Sequence, residues 1–181
     1  QAVKIKILEK LRDKKNEKNI WLAFTPIKQN PMNFLIQKGT ELGVQKFIPI
    51  LSERTEVKDI NSERIKKIII ESAEQSNRIS IPEVTNLETL KNFIFNFPKE
   101  ACLIFCDINS NQIDIKKILS TKDMGPICIL IGPEGDFSEN ERKLITGLKQ
   151  SQSISLAQNI LRAETAAVAA VTLVNYYLNL S

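Results

Sequence analysis

The chain contains 181 residues, of which 43% are hydrophobic and 25% are charged, and this composition is typical of one globular domain. It contains no histidine, which excludes catalysis by Ser-His-Asp or Cys-His groups and any histidine-ligated metal site. The net charge of +4 lies in residues 1–19, which hold seven basic and three acidic side chains, because the basic and acidic residues of the remaining chain cancel. A basic arm binds nucleic acid phosphates in some proteins and is a solvated linker in others, so charge alone leaves both interpretations open.

The predicted elements begin with a short strand at residues 3–7, where apolar and basic residues alternate, and a charged stretch up to Asn19 predicts a domain boundary. Asn30 is expected to cap the first helix, with Pro31 in its first turn and Gly43 just beyond its end. In chain order, we predict a strand at 21–24, a helix at 30–42, a strand at 47–51, helices at 61–78 and 87–97, a strand at 102–106, a helix at 113–119, a strand at 127–131, a helix from Ser138, a strand at 154–156 and a helix at 162–178. This alternation predicts an α/β fold with a mostly parallel, buried sheet.

The three cysteines predict buried, reduced thiols. Cys102, Cys106 and Cys128 form no Cys-x-x-Cys pair and have no histidine beside them to complete a metal site. We therefore expect no metal and a reducing, cytoplasmic compartment. The longest uninterrupted apolar run near the C-terminus covers residues 166–171. A membrane span needs about 20 such residues, so none is expected.

The first segment that could carry chemistry is the loop after the strand at 127–131. Gly132 and Gly135 are expected to permit positive φ and a close approach of the backbone to a ligand. Glu134 and Asp136 disfavour a phosphate and favour a ligand with cationic and hydroxyl groups, such as S-adenosylmethionine. The alternative is a tight turn before a helix that Ser138 opens with a capping box.

The second segment covers residues 155–166, where a polar loop enters the last helix. Arg162 and Glu164 stand before a stretch, residues 166–174, that is apolar nearly all round, and such a helix must be buried in its own core or against a partner subunit. Charges at that position are costly unless they are paired or functional. The alternative is an Arg162–Glu164 pair that only satisfies itself.

The third segment is a polar stripe on the helix at 61–78. Glu71, Glu74, Gln75 and Arg78 follow helical spacing, and Glu74 and Arg78 stand at the i,i+4 distance that favours an ion pair. The alternative is a solvated helix face.

Several short motifs lie along residues from about 20 to 178. They are Lys38-Gly39-Thr40-Glu41-Leu42-Gly43-Val44, Arg54-Thr55, Glu71-x-Ala73-Glu74-Gln75-Ser76-x-Arg78, Ile81-Pro82, Gly132-Pro133-Glu134-Gly135 with Phe137-Ser138-x-x-Glu141, and Ile160-Leu161-Arg162-Ala163-Glu164-Thr165-Ala166. Each motif is weak alone, but together they resemble the motifs of the RsmE family in order and spacing.

The resemblance implies a SPOUT-class methyltransferase that uses S-adenosylmethionine to methylate N3 of a uridine in 16S rRNA of the 30S subunit. It implies a homodimer with a trefoil-knotted α/β domain at residues 20–181. Residues 1–19 would then be a remnant of an N-terminal PUA-like β-barrel and a linker. Two other functions stay open: another SPOUT activity, such as ribose 2′-O-methylation, and a non-catalytic dimeric RNA-binding assembly factor.

The resemblance also implies roles for individual residues. Arg162 would stabilise charge on the uracil oxygens, Glu164 would orient Arg162, and Gln75 and Arg78 would contact RNA or an interface. A carboxylate, a water or no group at all could serve as the base. The residues implied around the cofactor are Phe105, Gly132, Pro133, Glu134, Gly135, Leu156, Ala157, Gln158, Ile160 and Leu161.

Two positions in the implied cofactor loops depart from the family pattern, which has glycine at both. Asp136 must adopt the backbone conformation of that glycine, which Asp does better than most residues. Ala157 places a methyl group where the backbone and the cofactor are expected to approach closely. Neither change removes a reactive group, but both are expected to affect cofactor affinity.

Overall fold

A parallel β-sheet forms the centre of the domain in the computed structural model, which describes residues 3–10, 18–110, 115–119 and 125–180. The strand order is β3-β2-β1-β6-β5-β7, with β4 also paired to β2, and every pair is parallel. The strands are β1 (Ile20–Phe24), β2 (Lys46–Leu51), β3 (Glu83–Val84), β4 (Glu88–Thr89), β5 (Cys102–Cys106), β6 (Ile127–Ile131) and β7 (Ser151–Ile154).

Helices cover both faces of this sheet, which explains why its central strands are apolar throughout. Along β6, Ile127, Ile129 and Ile131 face one core cluster, and Cys128 and Leu130 face the other. The first cluster includes side chains of α1 (Gln29–Glu41), α2 (Ser62–Gln75), α4 (Ile115–Leu119) and α6 (Ala163–Leu180), and the second those of α3 (Leu90–Phe95) and α5 (Glu139–Gly147). The predicted α/β class with a parallel sheet is confirmed.

The strand predicted at residues 3–7 is wrong. Residues 3–10 have no regular secondary structure, and Val3, Ile5 and Ile7 are each more than 80% exposed. Alternation favours a strand only where a neighbouring strand accepts its hydrogen bonds, and within the described residues no strand lies beside this segment. The division of the chain at residue 19 stays a prediction.

Two helices end in the same left-handed turn. After α1, Gly43 has φ +90°, and Val44 N donates to Gly39 O, as predicted for a glycine C-cap. After α2, Asn77 takes the same position with φ +60°, and Arg78 N donates to Ala73 O. Because this turn ends α2 at Gln75, the prediction of a helix continuing to Arg78 is wrong.

Other boundaries differ by a few residues. Lys28, not Asn30, is the N-cap of α1, and Pro31 fits inside the first turn because the N–H groups there have no helical partner. Strand β7 covers 151–154 instead of 154–156, since its residues pair with β5. The predicted helix at 87–97 is shorter because residues 88–89 pair with β2 first. The start of the helix predicted at 113–119 lies outside the described residues. Within the described ranges, no helix combines the length and apolar character that crossing a bilayer requires.

Candidate active site

A cavity of about 450 Å³ lies beyond the carboxyl ends of β5 and β6, at the start of α6. This is the edge at which open α/β sheets bind ligands. The chain therefore brings together the two segments that the sequence separates by about twenty residues: the loop after β6 and the entry to α6. The lining residues are Cys106, Ile108, Ile131, Gly132, Pro133, Glu134, Asp136, Ile160, Leu161, Arg162, Ala163 and Ala166.

The two glycines of the loop after β6 have different surroundings. A Cβ on Gly132 would lie 2.8 Å from Cε2 of the Phe137 ring, whereas a Cβ on Gly135 would lie 3.7 Å from Arg54. A side chain at position 132 would clash with the Phe137 ring, so the packing of this ring requires glycine there. The predicted positive φ is wrong at both glycines, and the left-handed residue of this loop is Asp136, with φ +59°.

Asp136 stabilises its own left-handed conformation through local hydrogen bonds. Its backbone N–H donates to Pro133 O at 3.0 Å, which closes a turn, and its Oδ1 accepts from Phe137 N at 2.7 Å. A short polar side chain that bonds to the adjacent backbone is what makes Asp tolerable in this region. Asp136 therefore adopts a left-handed conformation of the kind that favours glycine.

Contacts from the chain after β2 hold the loop on one side. Arg54 Nη1 donates to Gly135 O at 2.8 Å. The predicted capping box is present, with Ser138 and Glu141 bonded reciprocally. Glu141 is 4% exposed and its Oε1 also accepts from Glu53 N at 2.8 Å. One carboxylate thus caps α5 and fastens the end of the loop after β6 to a residue 88 positions earlier in the chain.

An ion cluster holds the loop on the other side. Arg142 Nη2 lies 2.6 Å from Asp107 Oδ1 and 3.3 Å from Asp136 Oδ2. Asp107 directly follows β5 and also accepts from Asn109 N at 2.8 Å. The sequence reasoning quoted Arg54 only as part of a family motif and missed Asp107 and Arg142. The Arg54–Gly135 and Arg142–Asp107 partners lie 81 and 35 residues apart, and no local pattern reveals such pairings.

The predicted cofactor residues fall into two groups. Gly132, Pro133, Glu134, Ile160 and Leu161 line the cavity. Of the others, Gly135 lines a neighbouring cavity of about 250 Å³ with Lys28 and Arg54, and Phe105 is fully buried with its ring against Phe137. Leu156 packs against the core, Ala157 O accepts from Ser155 Oγ, and Gln158 is exposed.

Arg162 and Glu164 lie where α6 begins, and neither side chain has a partner among the described residues. Arg162 is exposed and lines the cavity, and Glu164 is half-buried in the first turn of α6. Neither side chain forms an ion pair or hydrogen bond with a described residue. The alternative of a self-satisfied Arg162–Glu164 pair is therefore wrong.

Gln75 and Arg78 do not share a helix face. Gln75 is exposed and lines a groove of about 750 Å³ between α1 and α2. Arg78 lies beyond the α2 turn, and its Nη1 donates to Thr40 O at 2.8 Å and Val44 O at 2.7 Å. These bonds secure the end of α1, so the structure gives Arg78 an internal role in place of the predicted position on the polar stripe.

The thiols are not nucleophiles. Burial raises the pKa of Cys106, which lines the cavity, to about 12, and burial also raises the pKa values of Cys102 and Cys128. All three stay protonated near neutral pH. Within the described residues, no group of three or more Cys, Asp or Glu side chains is arranged to hold a metal ion.

Comparison with known proteins shows which family this chain resembles. A family model described as an RNA methyltransferase domain matches residues 14–175. Ribosomal RNA small subunit methyltransferase E of Rickettsia conorii is 32% identical over 167 residues, which cover 92% of this chain and 68% of that protein. The crystal structure of the enzyme of that name from Neisseria gonorrhoeae, bound to S-adenosyl methionine, superposes with a TM-score of 0.80 at 30% identity and covers 89% of this chain and 68% of that chain.

A more distant structure defines the fold class. The Aquifex aeolicus TrmH/SpoU tRNA modifying enzyme superposes with a TM-score of 0.58 at 13% identity, over 92% of this chain and 78% of that one. The fold is thus that of the SPOUT-type RNA methyltransferases. Within that class, the chain belongs to the RsmE family. It spans about two thirds of the length of the Rickettsia relative.

Proposed function

We propose that this domain binds S-adenosylmethionine in the cavity beyond β5 and β6 and transfers its methyl group to N3 of a uridine in 16S rRNA. The observation that carries the proposal is the joining of the Gly132–Asp136 loop and the Ile160–Ala163 segment around one cavity. Its volume of about 450 Å³ lies in the range of small-molecule sites.

The chemistry of the lining fits this ligand. Glu134 and Asp136 offer carboxylates to cationic and hydroxyl groups, and Ile131, Leu161 and Ala166 offer an apolar wall to an aromatic ring. When bound, S-adenosylmethionine would supply an electrophilic methyl group on its sulfonium. The chain's own task is then to hold donor and acceptor in line, which can contribute on the order of 7–11 kcal/mol at best.

Arg162 supports the proposal for the reacting end. It is an exposed guanidinium on the cavity wall that no described carboxylate neutralises. Loss of the N3 proton places negative charge on the uracil oxygens, and a guanidinium can stabilise that charge with two donors. Glu164, two residues along α6, would orient Arg162 once RNA is bound. The chain has no histidine, so the N3 proton leaves to water or to a carboxylate.

A homodimer is the second part of the proposal, and α6 supports it. Ala167, Ala170, Val171 and Val174 are buried within the chain, but the opposite face is not. There Thr172 is exposed and Tyr176 is 60% exposed, on a helix without a charged residue after Glu164. A second copy packed on this face would bury the remaining apolar surface of the helix.

The wider assignments rest on the family resemblance. The trefoil knot, the PUA-like remnant at residues 1–19, RNA contact by Gln75, action on the 30S subunit and a cytoplasmic location belong to the proposal. The basic charge of residues 1–19 supports RNA contact at that end.

A methyl-transfer assay on 30S subunits and on naked 16S rRNA tests the function. Digestion to nucleosides, followed by chromatography and mass spectrometry, should reveal 3-methyluridine. A 2′-O-methylated nucleoside would contradict the N3 assignment, and cofactor binding without transfer to either RNA would point to a non-catalytic RNA-binding factor.

A further inference from the structure

The ion cluster behind the cofactor loop runs from the protein interior to the cavity wall. The Asp107 side chain is 5% exposed, that of Arg142 is 25% exposed and that of Asp136 is 34% exposed. Only Asp136 of these three lines the cavity. Arg142 therefore connects a buried carboxylate to one that a ligand can reach.

The inner half of the cluster fixes the position of the guanidinium. Asp107 accepts from Arg142 Nη2 at 2.6 Å and from Asn109 N at 2.8 Å, and its own backbone N–H donates to Ile154 O. A charge this buried keeps its partner in place, because separating the two would leave it uncompensated. The anchor belongs to the sheet, since Asp107 directly follows β5.

The outer half of the ion cluster leaves the carboxylate of Asp136 able to bind a ligand. Its Oδ1 accepts from Phe137 N at 2.7 Å. Among the described residues, Oδ2 has only two contacts, both long: 3.3 Å to Arg142 and 3.5 Å to Asn109 Nδ2. An ionised carboxylate has about four lone-pair sites, so Oδ2 keeps acceptor capacity toward the cavity. The backbone of Asp136 is held in the left-handed region, which fixes the direction in which its Cβ leaves the chain.

We propose that Asp136 binds a hydrogen-bond donor of the cofactor and that Arg142, anchored by Asp107, is its positioning residue. The inference deepens the proposed function, on which it rests, by assigning two residues to the same site. The donors concerned are the ribose hydroxyls and the α-ammonium, which S-adenosylmethionine and its demethylated product S-adenosylhomocysteine both carry.

Calorimetric titration of both ligands into the purified protein tests the proposal. Arg142→Met and Asp136→Asn should each raise both dissociation constants at least tenfold and by similar factors. The double variant should lose no more than the weaker-binding single variant, because the two residues act as a unit. Lys143→Met, which removes an exposed charge from the next position of α5, should stay within twofold of wild type.

Separate outcomes distinguish the inference from its premise. If wild type binds neither ligand, the proposed function fails and the inference with it. If wild type binds and Arg142→Met lowers only the melting temperature, the positioning role is refuted. A loss confined to S-adenosylmethionine would refute the shared donor, because only the sulfonium distinguishes the two ligands. If Arg142→Met does not fold, Asp107→Asn with Arg142→Met removes the uncompensated charge and serves in its place.

Discussion

Gly132 offers a sharp test of how tightly the loop after β6 is packed. In Gly132→Ala the new Cβ would lie 2.8, 3.1 and 3.5 Å from atoms of the Phe137 ring. This ring is 3% exposed and lies edge-on to Phe105 at 5.6 Å between centroids, so it cannot swing into open space. Overpacking of this kind costs about 1–3 kcal/mol of unfolding free energy, and each kcal/mol lowers the melting temperature of a domain this size by about 2–4 °C.

Gly135→Ala is the matched control, in the same loop and with the same added methyl. Its Cβ would meet Arg54 at 3.7 Å, an ordinary contact, and Gly135 has no positive φ. Its unfolding free energy should stay within about 0.5 kcal/mol of wild type in urea or thermal unfolding. In a Phe137→Leu background, the cost of Gly132→Ala should shrink, because the smaller side chain leaves room. Equal stabilities of the two alanine variants would refute the packing argument.

Three further predictions follow from the site, the dimer face and the thiols. Arg162→Ala should lower the rate of single-turnover methyl transfer about 10²–10³-fold and change cofactor affinity only a few-fold. Arg162→Lys should restore little of that rate. An unchanged rate per folded dimer would show that Arg162 is not catalytic. Thr172→Arg, on the outward face of α6, should shift sedimentation toward monomer, whereas Thr146→Arg on the exposed surface of α5 should not; a stable wild-type monomer would refute the dimer. The pKa of Cys106 is raised from 9.0 to about 12 in the folded state, so the protonated thiol stabilises the fold fully below pH 9, and this stabilisation is lost as the pH rises toward 12. At about pH 10.5 the loss of unfolding free energy should reach at most about 2 kcal/mol. In urea unfolding, the free energy of Cys106→Ala should fall less over this pH range than that of wild type.

Local patterns sufficed for the central strands and for the start of α5. Strand β6 is five apolar residues in a row, which is what burial on both faces demands, and its bounds are as predicted. The Ser138–Glu141 capping box was also readable, because both partners lie within one turn of helix. In each case the residues that determine the structure are neighbours in sequence.

Sequence patterns failed where the local structure depends on more than the neighbouring residues. The alternation at residues 3–7 favours a strand, but pairing is a property of two segments, and those side chains are more than 80% exposed. Asn77 shows a second limit. Glycine is the usual signal for a left-handed helix end, so the sequence rules predict that the helix continues through Asn77 and that Arg78 lies on its polar stripe, which the structure contradicts.

The candidate site also has parts that local sequence predicts and parts that it does not, and the pairing of charges explains the difference. Burying an unpaired charge is costly, so charged groups in or near the core must have partners, and two of those partners lie far along the chain. Glu141 finds the backbone of Glu53, and Asp107 finds Arg142; these pairs shape the loop but are invisible to spacing rules. By contrast, Arg162 makes no internal ion pair or hydrogen bond within the described residues, although it lines the cavity. Because no described residue neutralises that guanidinium, its charge stays available to a ligand in the cavity, which is what the proposed role of Arg162 requires.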